Sequence, residues 1–173
     1  MNVMTTLSHA VGETDVPLLE QTIPDNLDAT VAAFGDREAL VDVAQGIRWT
    51  YAEFGAEVAR LARALLASGV TKGERVGIWA PNCAQWTVVQ YATAKLGAIL
   101  VNINPSYRTH ELEFVLKQAG ISAIFLAESF KTSDYVAMLD EVRPSSHAPA
   151  RRHPRRRDSG RGPPRTSPRS RWT

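Results

Sequence analysis

One cysteine and four histidines are the side chains best suited to nucleophilic or metal chemistry in this sequence of 173 residues. Cys83 falls in the first turn of a predicted helix, where the helix dipole favours a thiolate. No histidine or aspartate lies near it in sequence to act as a base, so we interpret Cys83 as a small residue that fills space. His9, His110, His147 and His153 show no spacing typical of a metal site. We therefore predict no catalytic residue and no metal ligand in this chain.

The glycine patterns that bind phosphate are missing, because neither GxGxxG nor GxxxxGK followed by Ser or Thr occurs. The turns after the three predicted parallel strands carry other residues: Pro81-Asn82, Asn104-Pro105 and Glu128-Ser129-Phe130. The segment SGRGPPR, at 159–165, has part of the composition of a phosphate loop, but no strand precedes it. We treat that likeness as coincidence and predict that the chain alone binds no nucleotide cofactor.

Charge is divided unevenly between the first 143 residues and the last 30. The first part holds 11 Lys and Arg against 17 Asp and Glu, whereas residues 144–173 hold nine Arg and one Asp. Clustered arginines neutralise phosphates, so one alternative function is a small α/β interaction module with a nucleic-acid-binding tail. The tail lacks interleaved aromatic residues, which limits the expectation to nonspecific binding.

Helix signals dominate the first part of the chain. Residues 24–35 predict a helix with Asp25 as its cap and Gly35 ending it in a left-handed conformation. After a predicted hairpin, 39–43 with 47–50, Thr50 and Glu53 have the spacing of a capping box. They open a helix that Gly69 closes and that has an apolar stripe of period 3.6. The stripe consists of Phe54, Val58, Leu61, Ala62, Leu65 and Leu66.

Strands alternate with helices from residue 75 onward. The strands are predicted at 75–80, 98–103 and 121–127, and the second and third are nearly continuous apolar runs, typical of parallel strands covered on both faces. The first helix is predicted to begin at a cap, Asn82 or Gln85, and to end at Gly97, and the second is predicted to begin at Thr109 and to end at Gly120. Apolar residues at helical spacing are predicted to face the core. They are Trp86, Val89 and Leu96 in the first helix, Leu112, Val115, Leu116 and Ala119 in the second, and Tyr135, Met138, Leu139 and Val142 in the third. Right-handed crossovers then give a three-layer α/β unit with a partial parallel sheet, in which Trp49, Trp79 and Trp86 are packing residues.

Composition suggests three segments: a flexible N-terminus at 1–16, a folded body at 17–143 and a disordered Arg/Pro/Ser-rich tail at 144–173. The tail contains no Leu, Ile, Val, Met or Phe, so it has nothing to bury that would offset its ordering entropy. The longest apolar run is about six residues against the ~20 needed to cross a bilayer, so no membrane span is predicted. A single cysteine fits a reducing, cytoplasmic location.

Residues 17–143 taken together resemble the N-terminal region of medium- and long-chain acyl-CoA synthetases, which are adenylate-forming, AMP-binding ligases. Each matching stretch by itself is also a generic cap, strand or turn, so the resemblance depends on their order and spacing. The stretches are PLLEQTIPDNLDAT, GDREALVD, RWTYAEF, GVTKGERVGIWAPNCAQW, YATAKLGAILVNINPSYRTHELEFVL and FKTSDYVAML.

The resemblance implies a reaction in which ATP and a fatty acid give an acyl-adenylate and pyrophosphate, after which coenzyme A takes the acyl group, with Mg²⁺ as the metal. In that family a Ser/Thr/Gly-rich loop ending in Pro-Lys-Gly cradles the phosphates. The acidic residue of a Thr-Gly-Asp segment holds the ribose, and a late lysine supports adenylation. None of these motifs has a counterpart in this sequence, so no catalytic residue is carried over. We expect an N-terminal fragment that is inactive alone.

The likeness stops at Pro144, after a helix that should lead into another strand. The residues beyond it are those that a G+C-rich gene yields when it is read out of frame, so our hypothesis for the tail is a frameshift or a mispredicted gene. A third hypothesis is a ligase completed in trans by a separate polypeptide. Because a partial sheet leaves its edges exposed, self-association is also expected.

Overall fold

Residues 10–13 and 15–143 are described by the structure, a computed structural model. The disorder predicted for 144–173 lies outside the described residues, as do residues 1–9 and 14 of the flexible N-terminus predicted at 1–16. The elements along the described chain are α1 (Ile23–Phe34), β1 (Glu38–Asp42), β2 (Ile47–Thr50), α2 (Tyr51–Ala67), β3 (Arg75–Trp79), α3 (Ala84–Leu96), β4 (Ile99–Asn102), α4 (Thr109–Ala119), β5 (Ala123–Leu126), β6 (Ser129–Phe130), β7 (Ser133–Asp134) and α5 (Tyr135–Val142).

A three-stranded parallel sheet lies at the centre, in the order β4-β3-β5. Val76 of β3 lies opposite Leu100 of β4 and Ala123 of β5. The three predicted parallel strands are all present, each shorter than predicted. β1 and β2 pair antiparallel as the predicted hairpin, and β6 and β7 form a second short pair that the sequence did not predict.

The sheet is covered on both faces, which gives the predicted three-layer α/β arrangement. One face packs against α2 and α3: Val76 and Ile78 are buried there, together with Val58 of α2 and Val89 of α3. The side chains of alternate strand residues point the other way, toward α4 and α5. Those residues include Trp79 and Leu126, which pack with Leu112, Tyr135 and Met138.

The cap and the end of α1 differ from the prediction. Thr22, not Asp25, is the N-cap, and its hydroxyl accepts a hydrogen bond from Asp25 N–H at 3.3 Å, while the Asp25 carboxylate accepts one from Thr22 N–H. Asp25 therefore forms the second half of a capping box. Gly35 has φ −47°, in the right-handed region, because its carbonyl is satisfied by Ala52 N–H of α2 at 2.9 Å and no left-handed turn is needed.

The predicted capping box of α2 is present. Glu53 N–H donates to the Thr50 hydroxyl at 3.2 Å, and Thr50 N–H donates to the Glu53 carboxylate at 2.9 Å. Leu66, the last residue of the predicted apolar stripe of α2, is 58% exposed, so the part of the stripe that faces the core is narrower than predicted. Gly97 and Gly120 end their helices in the left-handed conformation as predicted.

Thr109 does not cap α4. The N-cap is Arg108, whose N–H donates to the Glu111 carboxylate at 3.0 Å, and the Thr109 hydroxyl donates to Glu141 of α5 instead.

No described helix is long and apolar enough to cross a membrane.

Candidate functional site at the carboxyl edge of the sheet

The connections of β3 and β5 define where a ligand would bind in a sheet of this kind. β3 leads into α3 on one face and on to β4, whereas the neighbouring β5 leads toward α5 on the opposite face. Crevices for ligands in open α/β sheets open at the carboxyl ends of strands where the connections diverge in this way. The loops 80–83 and 127–128 border that point, and the loop 103–108, which follows β4, lies at the same carboxyl edge.

Two stacked aromatic side chains hold the loop that follows β4. The rings of Trp79 and Tyr135 are nearly parallel, with an angle of 11° and 3.7 Å between centroids, and both residues are buried. The Trp79 indole N–H donates to the carbonyl of Asn104 at 3.0 Å, and the Tyr135 hydroxyl donates to the carbonyl of Pro105. Buried Trp and Tyr commonly satisfy their polar atoms in this way. The two side chains thus fix consecutive carbonyls of one loop.

The loop that follows β3 is held by the β1–β2 hairpin. Asp42 accepts hydrogen bonds from Ala84 N–H at 2.9 Å and from Gln45 N–H at 3.0 Å. The side-chain amides of Gln45 and Gln85 bond each other reciprocally, at 2.7 and 3.0 Å. The predicted caps Asn82 and Gln85 are therefore wrong, because the carboxylate that satisfies the start of α3 comes from another element.

Cys83 is the N-cap residue of α3 and is half-buried, with no side-chain cap bond. Burial is the largest influence on the Cys83 thiol and raises its pKa above the ordinary value. The backbone N–H of Trp86 lowers this pKa, the charge of Asp42 raises it by a smaller amount, and the backbone N–H of Gln85, the smallest influence, lowers it. The thiol is thus kept protonated, which supports the interpretation of Cys83 as a packing residue.

The remaining candidate residues form no site among residues 10–13 and 15–143. His110 is exposed, and no three His, Cys, Asp or Glu side chains lie together there as a metal site would require. His9, His147, His153 and SGRGPPR lie outside the described residues. Trp79 is buried, and Trp49 and Trp86 pack against the core, as predicted for packing residues.

A recess of about 300 Å³ lies at the opposite end of the sheet. It is bordered by Leu65 and Val70 at the end of α2 and by Glu74, Ser122 and Phe125 beside the amino ends of β3 and β5. Ligands of such sheets bind beyond the carboxyl ends, so this recess is not where the topology would place a nucleotide.

Fold and edge geometry thus define an α/β sheet of the nucleotide-binding type whose described part lacks the phosphate-binding residues. Residues 27–163 match the family of AMP-binding enzymes. The chain belongs to this family. The match runs past residue 143, so it does not fix a domain boundary there, and the boundary stays a prediction.

Relatives within the family are acyl-CoA ligases. The chain is 44% identical over 138 residues to the medium-chain acyl-CoA ligase ACSF2, mitochondrial, of Rattus norvegicus, which covers 80% of this chain and 22% of that protein. It is 39% identical over 127 residues to the putative acyl-CoA synthetase YngI of Bacillus subtilis, covering 73% of this chain and 23% of the relative. The chain thus spans about a fifth of the length of these relatives.

Solved structures of acyl-CoA ligases also match this chain. The N-terminal domain of FACL13 from Mycobacterium tuberculosis matches with a TM-score of 0.65 and 28% identity, over 73% of this chain and 30% of that one. A putative long-chain-fatty-acid CoA ligase from Rhodopseudomonas palustris matches with a TM-score of 0.62 and 33% identity, over 70% and 29%. The predicted resemblance to the N-terminal region of an acyl-CoA synthetase is confirmed.

Proposed function

We propose that this chain forms the N-terminal part of a fatty-acid–CoA ligase and does not catalyse adenylation alone. The reaction of the complete enzyme would join a fatty acid to coenzyme A at the expense of ATP, with Mg²⁺ on the phosphates. The membership in the AMP-binding family and the similarity to medium-chain acyl-CoA ligases support the reaction class.

The proposal that the chain does not catalyse adenylation alone is supported by the polar groups at the carboxyl edge of the sheet, which form hydrogen bonds within the protein. Asp42 caps a helix, Gln85 bonds Gln45, and the polar atoms of Trp79 and Tyr135 bond loop carbonyls. These groups position the two loops. The described residues supply no glycine-rich loop at that edge to cradle transferring phosphate oxygens, and the guanidinium of Arg108, in the loop after β4, donates to the Ser133 hydroxyl at 2.7 Å.

ATP–pyrophosphate exchange tests the proposal. The purified chain is assayed with Mg²⁺ and either octanoate or dodecanoate, beside a complete acyl-CoA ligase as positive control. We expect exchange from the complete ligase and none above background from the chain. Exchange by the chain alone, at a rate that increases with fatty-acid concentration, would show the proposal to be wrong.

A related candidate is a ligase completed in trans, in which a separate polypeptide supplies the phosphate loop, the ribose contact and the lysine. Its support is that the chain spans only 22% of the rat relative, while the part matched is a coherent three-layer unit. Exchange that appears only after a downstream-encoded polypeptide is added would favour this candidate. No exchange from the mixture would leave the inactive fragment.

We further propose a cytoplasmic location, which is supported by the single cysteine. The rat relative bears a mitochondrial name, so the two compartments are the alternatives to compare. Cell fractionation followed by immunoblotting against residues of the folded body distinguishes them. Recovery of the chain with a sealed organelle would contradict the proposal.

A further inference from the structure

β4 forms one edge of the parallel sheet, because within the described residues it pairs only with β3. The N–H of Ile99 points toward β3, since it donates to the Glu74 carbonyl at 2.8 Å. Backbone groups alternate in direction along a strand, so the N–H and C=O groups of Leu100 and Asn102 point away from the sheet. Two donors and two acceptors thus face outward, in reach of a further strand.

β4 has none of the features that commonly protect an edge strand. Its sequence, Ile-Leu-Val-Asn, contains no charge and no proline, and it pairs with β3 in regular register over all four residues. Ile99 is 48% exposed, and its side chain lies on the same face of the sheet as that of Val101. A flat, uncharged, apolar strand at an edge is a template for pairing with another strand.

The flank of α3 beside this edge is uncharged as well. The opposite flank of α3 faces the other helices, because Tyr91 packs edge-on against an aromatic ring of α2 and Lys95 pairs with an aspartate of α1. Trp86 and Gln90 are four residues apart and share the remaining flank. Trp86 packs with Leu100 of β4, which places this flank above the edge strand.

Charge favours a second copy of the chain as the occupant of this edge. Residues 1–143 hold 11 Lys and Arg against 17 Asp and Glu, so two copies repel each other over most of their surface. The edge strip, formed by Trp86, Gln90 and residues 99–102, carries no charge. A partner selected for opposite charge would bind elsewhere on this acidic body, whereas two copies meet at the edge strip without bringing like charges together.

Antiparallel pairing of β4 with its own copy satisfies all the outward backbone groups at once. With Val101 on the two-fold axis, Leu100 of each copy lies opposite Asn102 of the other, and each such pair exchanges two hydrogen bonds. The axis is perpendicular to the sheet, so α3 of both copies lies on one face and the uncharged flanks of α3 face each other. The two three-stranded sheets then join into one continuous sheet.

We propose that two copies of this chain associate through β4, edge to edge and antiparallel, with Val101 on the two-fold axis. The inference is independent of the proposed function, because no catalytic group takes part in it. The contact is narrow, below the ~1,200 Å² that a standard stable interface buries. We therefore expect a weak dimer that forms and dissociates with concentration.

Sedimentation velocity of the full chain over a wide concentration series measures this association. We expect the average mass to rise from one chain toward two. Asn102→Pro removes two of the hydrogen bonds of the dimer and should weaken Kd by about tenfold or more, since proline cannot donate to a ladder. Asn102→Ala is the matched control: it loses the same side chain but keeps the N–H, so it should dimerise like the unchanged chain. Circular dichroism checks that both variants fold.

Cysteine cross-linking tests the register. In a Cys83→Ser background, which removes the only cysteine of the chain, Val101→Cys should form a disulfide with its copy under mild oxidation. The two Cα atoms on the axis lie about 4.5 Å apart, within the range of a disulfide. Ile99→Cys is the matched control, since this position is on the same face and is more exposed than position 101. In the proposed register its two copies are four residues out of line, about 14 Å apart, so it should cross-link more slowly.

Four outcomes would overturn the inference. The first is a monomer at every concentration, which would assign the edge strip to a different partner. The second is equal dimerisation by folded Asn102→Pro and Asn102→Ala, and the third is cross-linking at position 99 that is as fast as at position 101. The fourth is a dimer in which amide hydrogen exchange shows new protection at Ile124 of β5 instead of Leu100 and Asn102. If Asn102→Pro unfolds, the cross-linking rates and the amide protection decide.

Discussion

The Asp42 carboxylate accepts a hydrogen bond from the backbone N–H of Ala84 at 2.9 Å, so the first hairpin caps a helix that begins 42 residues later. The same carboxylate accepts a bond from Gln45 N–H, which fixes the turn of the hairpin. A single side chain therefore joins the hairpin to the loop that follows β3. An anionic acceptor is also favourable at the N-terminal end of a helix dipole.

Removal of this cap should destabilise the protein. We expect Asp42→Ala to lower the free energy of unfolding by about 1–2 kcal/mol, the usual cost of losing an N-terminal cap, and Asp42→Asn to lower it less because the amide oxygen can still accept. Urea unfolding followed by circular dichroism measures both. Asp140→Ala is the matched control, since this exposed aspartate makes, among the described residues, a surface ion pair with Arg143 at 3.2 Å and no helix cap. Equal effects at the two positions would contradict the capping role.

The buried hydroxyl of Tyr135 should make the free energy of unfolding decrease at alkaline pH. Burial raises the pKa of its hydroxyl above the ordinary value of 10.0. As the pH rises above about 10, the unfolded state loses this proton before the folded state does, so the stability that Tyr135 contributes below that pH is lost. Tyr135→Phe has no proton to lose there.

The difference in stability between the unchanged protein and Tyr135→Phe should therefore shrink as the pH increases. At neutral pH the variant should be less stable by about 0.5–1.5 kcal/mol, the net value of the hydrogen bond to Pro105. Urea unfolding at several pH values from about 8 to 11 measures the difference across the ionisation. A difference that does not depend on pH would show that the hydroxyl titrates alike in both states.

Cys83 offers a probe of the second loop, because it is the only cysteine in the chain. Its thiol pKa is raised by burial first, and the thiolate is the reactive form. Iodoacetamide at pH 8 should therefore modify the folded protein more slowly than the urea-unfolded chain, by about tenfold or more. Mass spectrometry follows the single adduct. Asp42→Asn, which removes a charge that raises the pKa, should speed the reaction of the folded protein. Equal rates for folded and unfolded chain would contradict the protected thiol.

The sequence predicted features whose cause is local. The capping box of Thr50 and Glu53 lies within four consecutive residues, and the apolar run of β5 belongs to a sheet with helices on both faces. The apolar run of β4 is less covered than predicted, because this strand lies at the edge of the sheet and Ile99 is 48% exposed. The cap of α3 was missed because its acceptor, Asp42, belongs to another element. The β6–β7 pair was missed because two-residue strands are too short for a period, and its turn places Lys131 at φ 52° without a glycine.

For the candidate site as well, some features could be predicted from the sequence and others depend on the tertiary structure. The lack of a phosphate-binding glycine pattern is visible in the residues themselves, whereas the position of the site depends on topology. Trp79 was predicted to be a packing residue, which is confirmed, but its bond to Asn104 joins positions 25 residues apart. The Tyr135 bond to Pro105 likewise depends on α5 packing beneath the β4 loop. Hydrogen bonds of this kind need the tertiary structure and could not be predicted from spacing.

Gly55, inside α2, lies where α1 packs closely against that helix. A Cβ at this position would lie 2.9 Å from Cγ2 of Val31, closer than carbon atoms pack. In a helix exposed to solvent, replacing glycine by alanine gains about 1 kcal/mol. Val31 is β-branched and has one strongly preferred rotamer in a helix, so it cannot easily move aside. We expect the steric cost to exceed the gain, and Gly55→Ala to lower the free energy of unfolding by about 1–2 kcal/mol.

The double variant makes this prediction specific. Val31→Ala alone should destabilise by loss of packing, but in its presence the added methyl group has space and the helix propensity gain returns. Gly55→Ala should therefore be stabilising in the Val31→Ala background and destabilising in the unchanged one, a coupling of about 1–3 kcal/mol between residues in contact. Thermal and urea unfolding of the four proteins measure this cycle. If Gly55→Ala stabilises both backgrounds equally, α1 does not approach α2 as closely as the Val31–Gly55 contact requires.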